Sequence, residues 1–169
     1  EALFSSKDEF NEDISNWNVS NVTNMSAMFI MAYKFNQDIS GWDVSNVTNM
    51  RSMFYNAREF DKPLNDWDVS NVITMKNMFY YADAFDQPLN EWNVSNVTSM
   101  ESMFGSTFDR TSTFNQNLSD WDTSNVTTMH EMFKESNAFN NGADENSSTE
   151  LNWNTSNVQN MSQMFRKAT

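Results

Sequence analysis

The stretch "MRSMFYNA", Met50 to Ala57, decides how this chain is read. Its apolar residues Met50, Met53, Phe54 and Ala57 fall at i, i+3, i+4 and i+7, the spacing of one helix face. Just upstream, Trp42-Asp43-Val44-Ser45 alternates apolar with polar, the period of a half-buried strand, and Val44 is β-branched. The expected unit is a very short strand, a turn, about two turns of helix and a return loop.

That unit recurs through the whole chain. Trp stands at 17, 42, 67, 92, 121 and 153, each followed at a fixed offset by Ser-Asn-Val. Two Met and a Phe come next, as Met25, Met28 and Phe29 in the first copy and Met161, Met164 and Phe165 in the last. A second Phe opens each unit, at 10, 35, 60, 85, 114 and 139. The 169 residues therefore form one repeat array, with a partial unit over 1–9 and six units starting near those Phe. Longer spacings mark two insertions, 105–113 and 140–150. Both ends interrupt the repeat at the same phase, which predicts a segment of a longer array lacking its polar caps.

Composition narrows the function classes. A formal net charge of -13 repels phosphate backbones and anionic bilayers, so nucleic-acid and membrane-surface binding are not expected. The chain has no Cys, hence no disulfide and no thiolate chemistry. No apolar run reaches the roughly 20 residues of a membrane span. With 14 Phe, 13 Met and 6 Trp, the chain is too aromatic to stay disordered.

One unit cannot bury its own apolar face, but stacked units can. Strands stack at about 4.8 Å and helices at about 8–10 Å, so such a stack should curve with its strands inside. The expected fold is an α/β, right-handed solenoid of leucine-rich-repeat type, with six short parallel strands on one side and short helices on the other. Pro63 and Pro88 share a column with Asp13, Asp38 and Asn117, which places that column in the return loop. Trp17, Trp42, Trp67, Trp92, Trp121 and Trp153 alternate in phase with the core and should be buried. Were they exposed, they would suit sugar stacking instead. Asn21, Asn46, Asn71, Asn96, Asn125 and Asn157 should form a ladder that bonds backbone groups of their own and adjacent turns.

The segment "FNQDISGWDVSNVTNMRSMF" (35–54) resembles the BspA-like bacterial surface protein repeat, also called DUF285. The resemblance covers nearly the whole chain. It implies a leucine-rich-repeat-like solenoid in a cell-surface or secreted, often multidomain protein. It also implies adhesion, including binding to host matrix proteins, and brings no catalytic motif.

The candidate binding residues flank the Trp column on the expected concave face: Asp43, Asp66, Asp68, Glu91, Asn93, Asp120 and Asp122. They suit a basic or polar surface of an extracellular or cell-surface protein, and they also suit a merely solvated sheet face. The expected function is therefore non-enzymatic adhesion or ligand recognition by a monomeric segment of a larger protein. A structural spacer is the alternative, with a calcium- or glycan-binding module further behind. No cofactor is expected. Calcium would have only generic carboxylates, at Asp43 and Asp68 or at Asp144 and Glu145. Asp66 and Asp68 could serve as an acid–base pair only in unequal environments, which a repeated exposed column does not offer. His130, in a column that holds Arg51 and Glu101, should be exposed and incidental.

Overall fold

The computed structural model describes residues 2–143 and 149–168. Among these there is no helix and no extended strand, only turns, bends and isolated bridges. The expected α/β solenoid, with helices facing six strands, is therefore wrong.

The stretch 50–57 shows why. Ser52 has φ of 55° and Asn56 has 59°, both in the left-handed region and incompatible with an α-helix. Its hydrogen bonds alternate in direction. Met53, Tyr55 and Ala57 donate their N–H groups three residues back, to the carbonyls of Met50, Ser52 and Phe54. Ser52, Phe54 and Asn56 donate instead across to Lys76, Met78 and Tyr80, at 2.8, 2.9 and 2.7 Å. The segment is two consecutive four-residue turns, 50–53 and 54–57, with positive φ at the third residue of each, as in type II turns. The first and last residues of each turn face inward. Those are Met50, Met53, Phe54 and Ala57, the same four that a helix would bury. Two tandem turns and two turns of helix thus share one hydrophobic pattern.

The strand expectation fails for a related reason. Trp42 and Val47 close turns, their N–H groups bonding the carbonyls of Ile39 and Val44. β-Pairing falls a few residues later and is one residue wide per coil, in the parallel series Asn24, Asn49, Thr74, Ser99, Thr128 and Asn160. Without helices no wall needs a wider spacing than another, so the argument for a curved horseshoe with a concave face disappears.

What stacks the coils is aromatic. Phe29, Phe54, Phe79, Phe104 and Phe133 form one column, with successive ring centroids 5.5–5.7 Å apart. Phe35, Phe60, Phe85 and Phe114 form a second, and within each coil the two rings stack at 3.9–4.1 Å. Centroid separations in this range are those of offset-stacked rings. Both columns are buried, together with the Met and Val columns. Each interior Trp packs against its coil's Phe and donates Nε1–H to the coil before. Trp42 bonds the Ile14 carbonyl, Trp67 that of Ile39, Trp92 that of Leu64 and Trp121 that of Leu89. A buried indole N–H needs such an acceptor. In the outermost coils, Trp17 and Phe165 are 43% and 47% exposed.

Candidate recognition surface

The Trp-flanking residues are held by local turns. The Asp43 Oδ1 accepts the Ser45 N–H at 3.1 Å and its hydroxyl at 2.6 Å. Asp68, Asn93 and Asp122 do the same for the N–H groups of Ser70, Ser95 and Ser124. Asn18 and Asn154 complete the column with Ser20 and Ser156. These are Asx turns, and they give the Asp-or-Asn alternation a structural reason. Asp43 and Asp122 are nonetheless exposed, and the Ser hydroxyl and N–H donors hold their carboxyls below the ordinary value. In the neighbouring column Asp66, Glu91 and Asp120 are exposed, with the Glu91 N–H bonding Asn65 Oδ1. The structure thus sets these residues side by side on successive coils.

Because the Asp43 and Asp122 carboxyls are depressed in the folded state, their contribution is present above pH about 4 and is lost as pH falls further. Acid should therefore lower the melting temperature. Asp43→Asn combined with Asp122→Asn should keep the turns, since Asn18, Asn93 and Asn154 already make them, while flattening the acid limb of stability against pH. A pH series of thermal melts checks this, and an unchanged acid limb would contradict it.

The recurrent Asn tie coils together. Asn46 Nδ2 donates to the Ser20 carbonyl, Asn71 to that of Ser45, Asn96 to Ser70, Asn125 to Ser95 and Asn157 to Ser124, at 2.6–2.8 Å. Unlike a buried ladder, these side chains run along the exposed edge. Asn71→Ala should cost about 0.5–1.5 kcal/mol by urea denaturation, the worth of one such bond.

A second ladder escaped the sequence reading. The Oδ1 atoms of Asn11, Asn36, Asp61, Asp86 and Asn115 each accept the N–H of the corresponding residue one coil on, from Asn36 to Asn140. Its signal was present, since an Asn or Asp follows the opening Phe in every unit. His130 is half-buried rather than exposed, and its Nδ1 lies 2.9 Å from the Ser162 carbonyl and 2.7 Å from its hydroxyl.

Another wall carries aromatic residues that the stack does not require. Tyr33, Tyr55, Tyr80 and Tyr81 lie in three successive coils, all partly exposed. Tyr55 stacks on Tyr80 at 5.5 Å and meets the edge of Tyr81 at 5.7 Å. Burial, then Tyr81, pushes the Tyr80 phenol upward, so it stays protonated. The insertion 105–113 folds back over this wall. Its Arg110 pairs with Asp83, lies 5.0 Å from the Tyr81 ring and donates to Asn56 Oδ1 at 2.9 Å.

Among the described residues, no group of three or more His, Cys, Asp or Glu is placed to hold a metal ion. Asp144 and Glu145 lie outside the described residues.

The family model described as "Mycoplasma protein of unknown function, DUF285" matches residues 1–107 and 105–169. The chain belongs to this family. Comparison with curated proteins and with solved structures returned no match. In this DUF285 chain, the residues that recur are those of the stack. The Trp and Phe form the core columns, and the Asn of Ser-Asn-Val, from Asn46 to Asn157, ties its coil to the one before. The positions that vary lie on the tyrosine wall and in the Trp-flanking rows, the row after each Trp only between Asp and Asn.

Proposed function

We infer that this DUF285 chain is a non-enzymatic recognition module of a cell-surface or secreted protein, of the BspA-like kind, and that it binds an extracellular protein partner. The observation that carries this reading is the division of labour within each coil. Trp, Val, Met and both Phe are spent on stacking, while the acidic side chains of the Trp-flanking rows bond only beside themselves and keep their charge in water. With Asp43, Asp66, Asp68, Glu91, Asp120 and Asp122 on those rows, the partner face is basic. Binding through exposed charges is salt-sensitive.

The test immobilises the chain and screens it against basic and acidic matrix-type proteins and glycans. The expected result is salt-sensitive binding to a basic protein that weakens when the six acidic residues become Asn or Gln. Silence across the panel favours the spacer, a reading supported by the inter-coil backbone bonds along the Met-Phe wall. Binding that survives the substitutions removes these rows from the map.

A further inference from the structure

The tyrosine wall lies roughly half a coil away from the Trp-flanking rows, since Tyr55 comes 13 residues after Trp42 in a 25-residue unit. Packing does not demand tyrosine there. The Tyr55 and Tyr80 position is Ile30, Gly105, Lys134 and Arg166 in other coils. The stack is continuous through all of them. The Tyr81 position is likewise Met31, Asn56, Ser106, Glu135 and Lys167 in other coils, so the stack requires tyrosine at neither position, yet Tyr55, Tyr80 and Tyr81 are gathered in adjacent coils.

Two guanidinium groups converge on this wall. Arg58 Nε and Arg110 Nη1 both donate to Asn56 Oδ1, at 3.2 and 2.9 Å. Arg58 also lies 4.3 Å from the Tyr33 ring. Arg110 is neutralised by Asp83. Among the described residues, no carboxylate stands within ion-pair distance of Arg58. In a chain with 23 acidic and 10 basic residues, an exposed arginine without a carboxylate partner is a local inversion of charge.

The insertion adds an apolar anchor. Two residues from the pinned Arg110, Phe108 is 84% exposed, more than any other large hydrophobic side chain among the described residues. The loop beneath it is fixed. The Arg110 N–H bonds the Thr107 carbonyl, and both the Thr113 N–H and its hydroxyl bond the Asp83 carbonyl. Lys167 Nζ approaches the Phe108 ring at 6.0 Å.

We propose that the Tyr55–Tyr80–Tyr81 wall, Arg58 and the Phe108 tip form a second docking surface, for an acidic, apolar-containing polypeptide segment of a partner protein. The apolar residues of that segment cover Phe108 and the tyrosine rings, and a carboxylate pairs with Arg58. Tyrosine and arginine are among the side chains that carry most protein–protein binding energy, and aromatic side chains are enriched at such interfaces. The unpaired guanidinium selects the sign of the partner, opposite to that expected for the Trp-flanking rows.

The experiment pans a phage-displayed library of random peptides against the chain, with counter-selection on the double variant Phe108→Ser, Arg58→Ala. Both side chains are exposed, so the variants fold, as circular dichroism and melting will verify. The expected peptides carry Asp or Glu beside apolar residues. They should lose about tenfold or more in affinity with either single variant, as for a lost hot-spot anchor. They should bind the Asp43→Asn, Asp68→Asn, Asp122→Asn triple variant unchanged, which separates this surface from the Trp-flanking rows. The proposal is overturned if no peptide survives counter-selection, if the survivors lack acidic residues, or if both variants bind as well as the parent. It is also overturned if an acidic glycan rather than a peptide proves to be the ligand of this wall.

Discussion

Trp67→Ala should lower the unfolding free energy by about 3–5 kcal/mol, the range for truncating a large core side chain. Trp67 is 3% exposed, lies against Phe54 at a centroid distance of 6.4 Å and donates Nε1–H to the Ile39 carbonyl at 3.2 Å. Removing it opens a cavity and takes away one of the two donors to that carbonyl, leaving the Trp42 N–H, and the two losses act in the same direction. Because the indole spans two coils, the damage falls on a coil junction rather than on one coil. Trp17→Ala is the internal control. Its ring is 43% exposed, so the loss there should be much smaller. Urea denaturation of both variants checks the pair. Equal losses, or a near-neutral Trp67→Ala, would show that the indole column does not hold the coils together.

Substitutions at Ser52 distinguish turn from helix by the sign of the effect. In a helix, Ser52→Gly would be destabilising, because glycine gives up the most backbone entropy on folding. At φ of 55°, every residue with a Cβ is strained, so glycine relieves a penalty of roughly 1–2 kcal/mol and its entropy cost offsets part of it. The expected net result is a gain of about 0.5–1 kcal/mol. Ser52→Pro goes the other way and should cost about 3 kcal/mol or more. The proline ring fixes φ near −65°, and the N–H that bonds the Lys76 carbonyl at 2.8 Å is lost. Denaturation midpoints of the two variants should therefore move apart, glycine above the parent and proline far below it. A destabilising glycine would return the segment to a helical reading.

The same position explains why the helix was expected at all. Left-handed turns are usually announced by glycine or asparagine. Here the column is Ala27, Ser52, Asn77, Ser102, Glu131 and Gln163, all at positive φ, and only Asn77 carries the usual signal. With three glycines in the whole chain, local composition argues against consecutive turns, and the apolar spacing then defaults to a helix. Similarly, Trp42-Asp43-Val44-Ser45 alternates because turns place Trp42 and Val44 inward and the Asp43 Asx turn outward, without any strand.

Site residues were legible to different depths. That Asp43, Asp68 and Asp122 stand outside could be read from their alternation with Trp and Val. That each closes an Asx turn depends on where the Ser N–H points, which is a matter of backbone path. The tyrosine wall was harder still. Arg110 reaches Asn56, 54 residues earlier, and no local pattern encodes such a contact.

The sequence by itself determined the repeat, its phase, its two insertions and which side chains face the core, because inward and outward positions obey one pattern whatever the backbone does. Tertiary structure alone decided the path between those positions. Backbone groups that a helix would satisfy within its own coil are here satisfied by the next one, through bonds such as Ser52 to Lys76 and Asn56 to Tyr80. A single unit contains no partner for them, so the choice between helix and paired turns is made only when neighbouring coils stack.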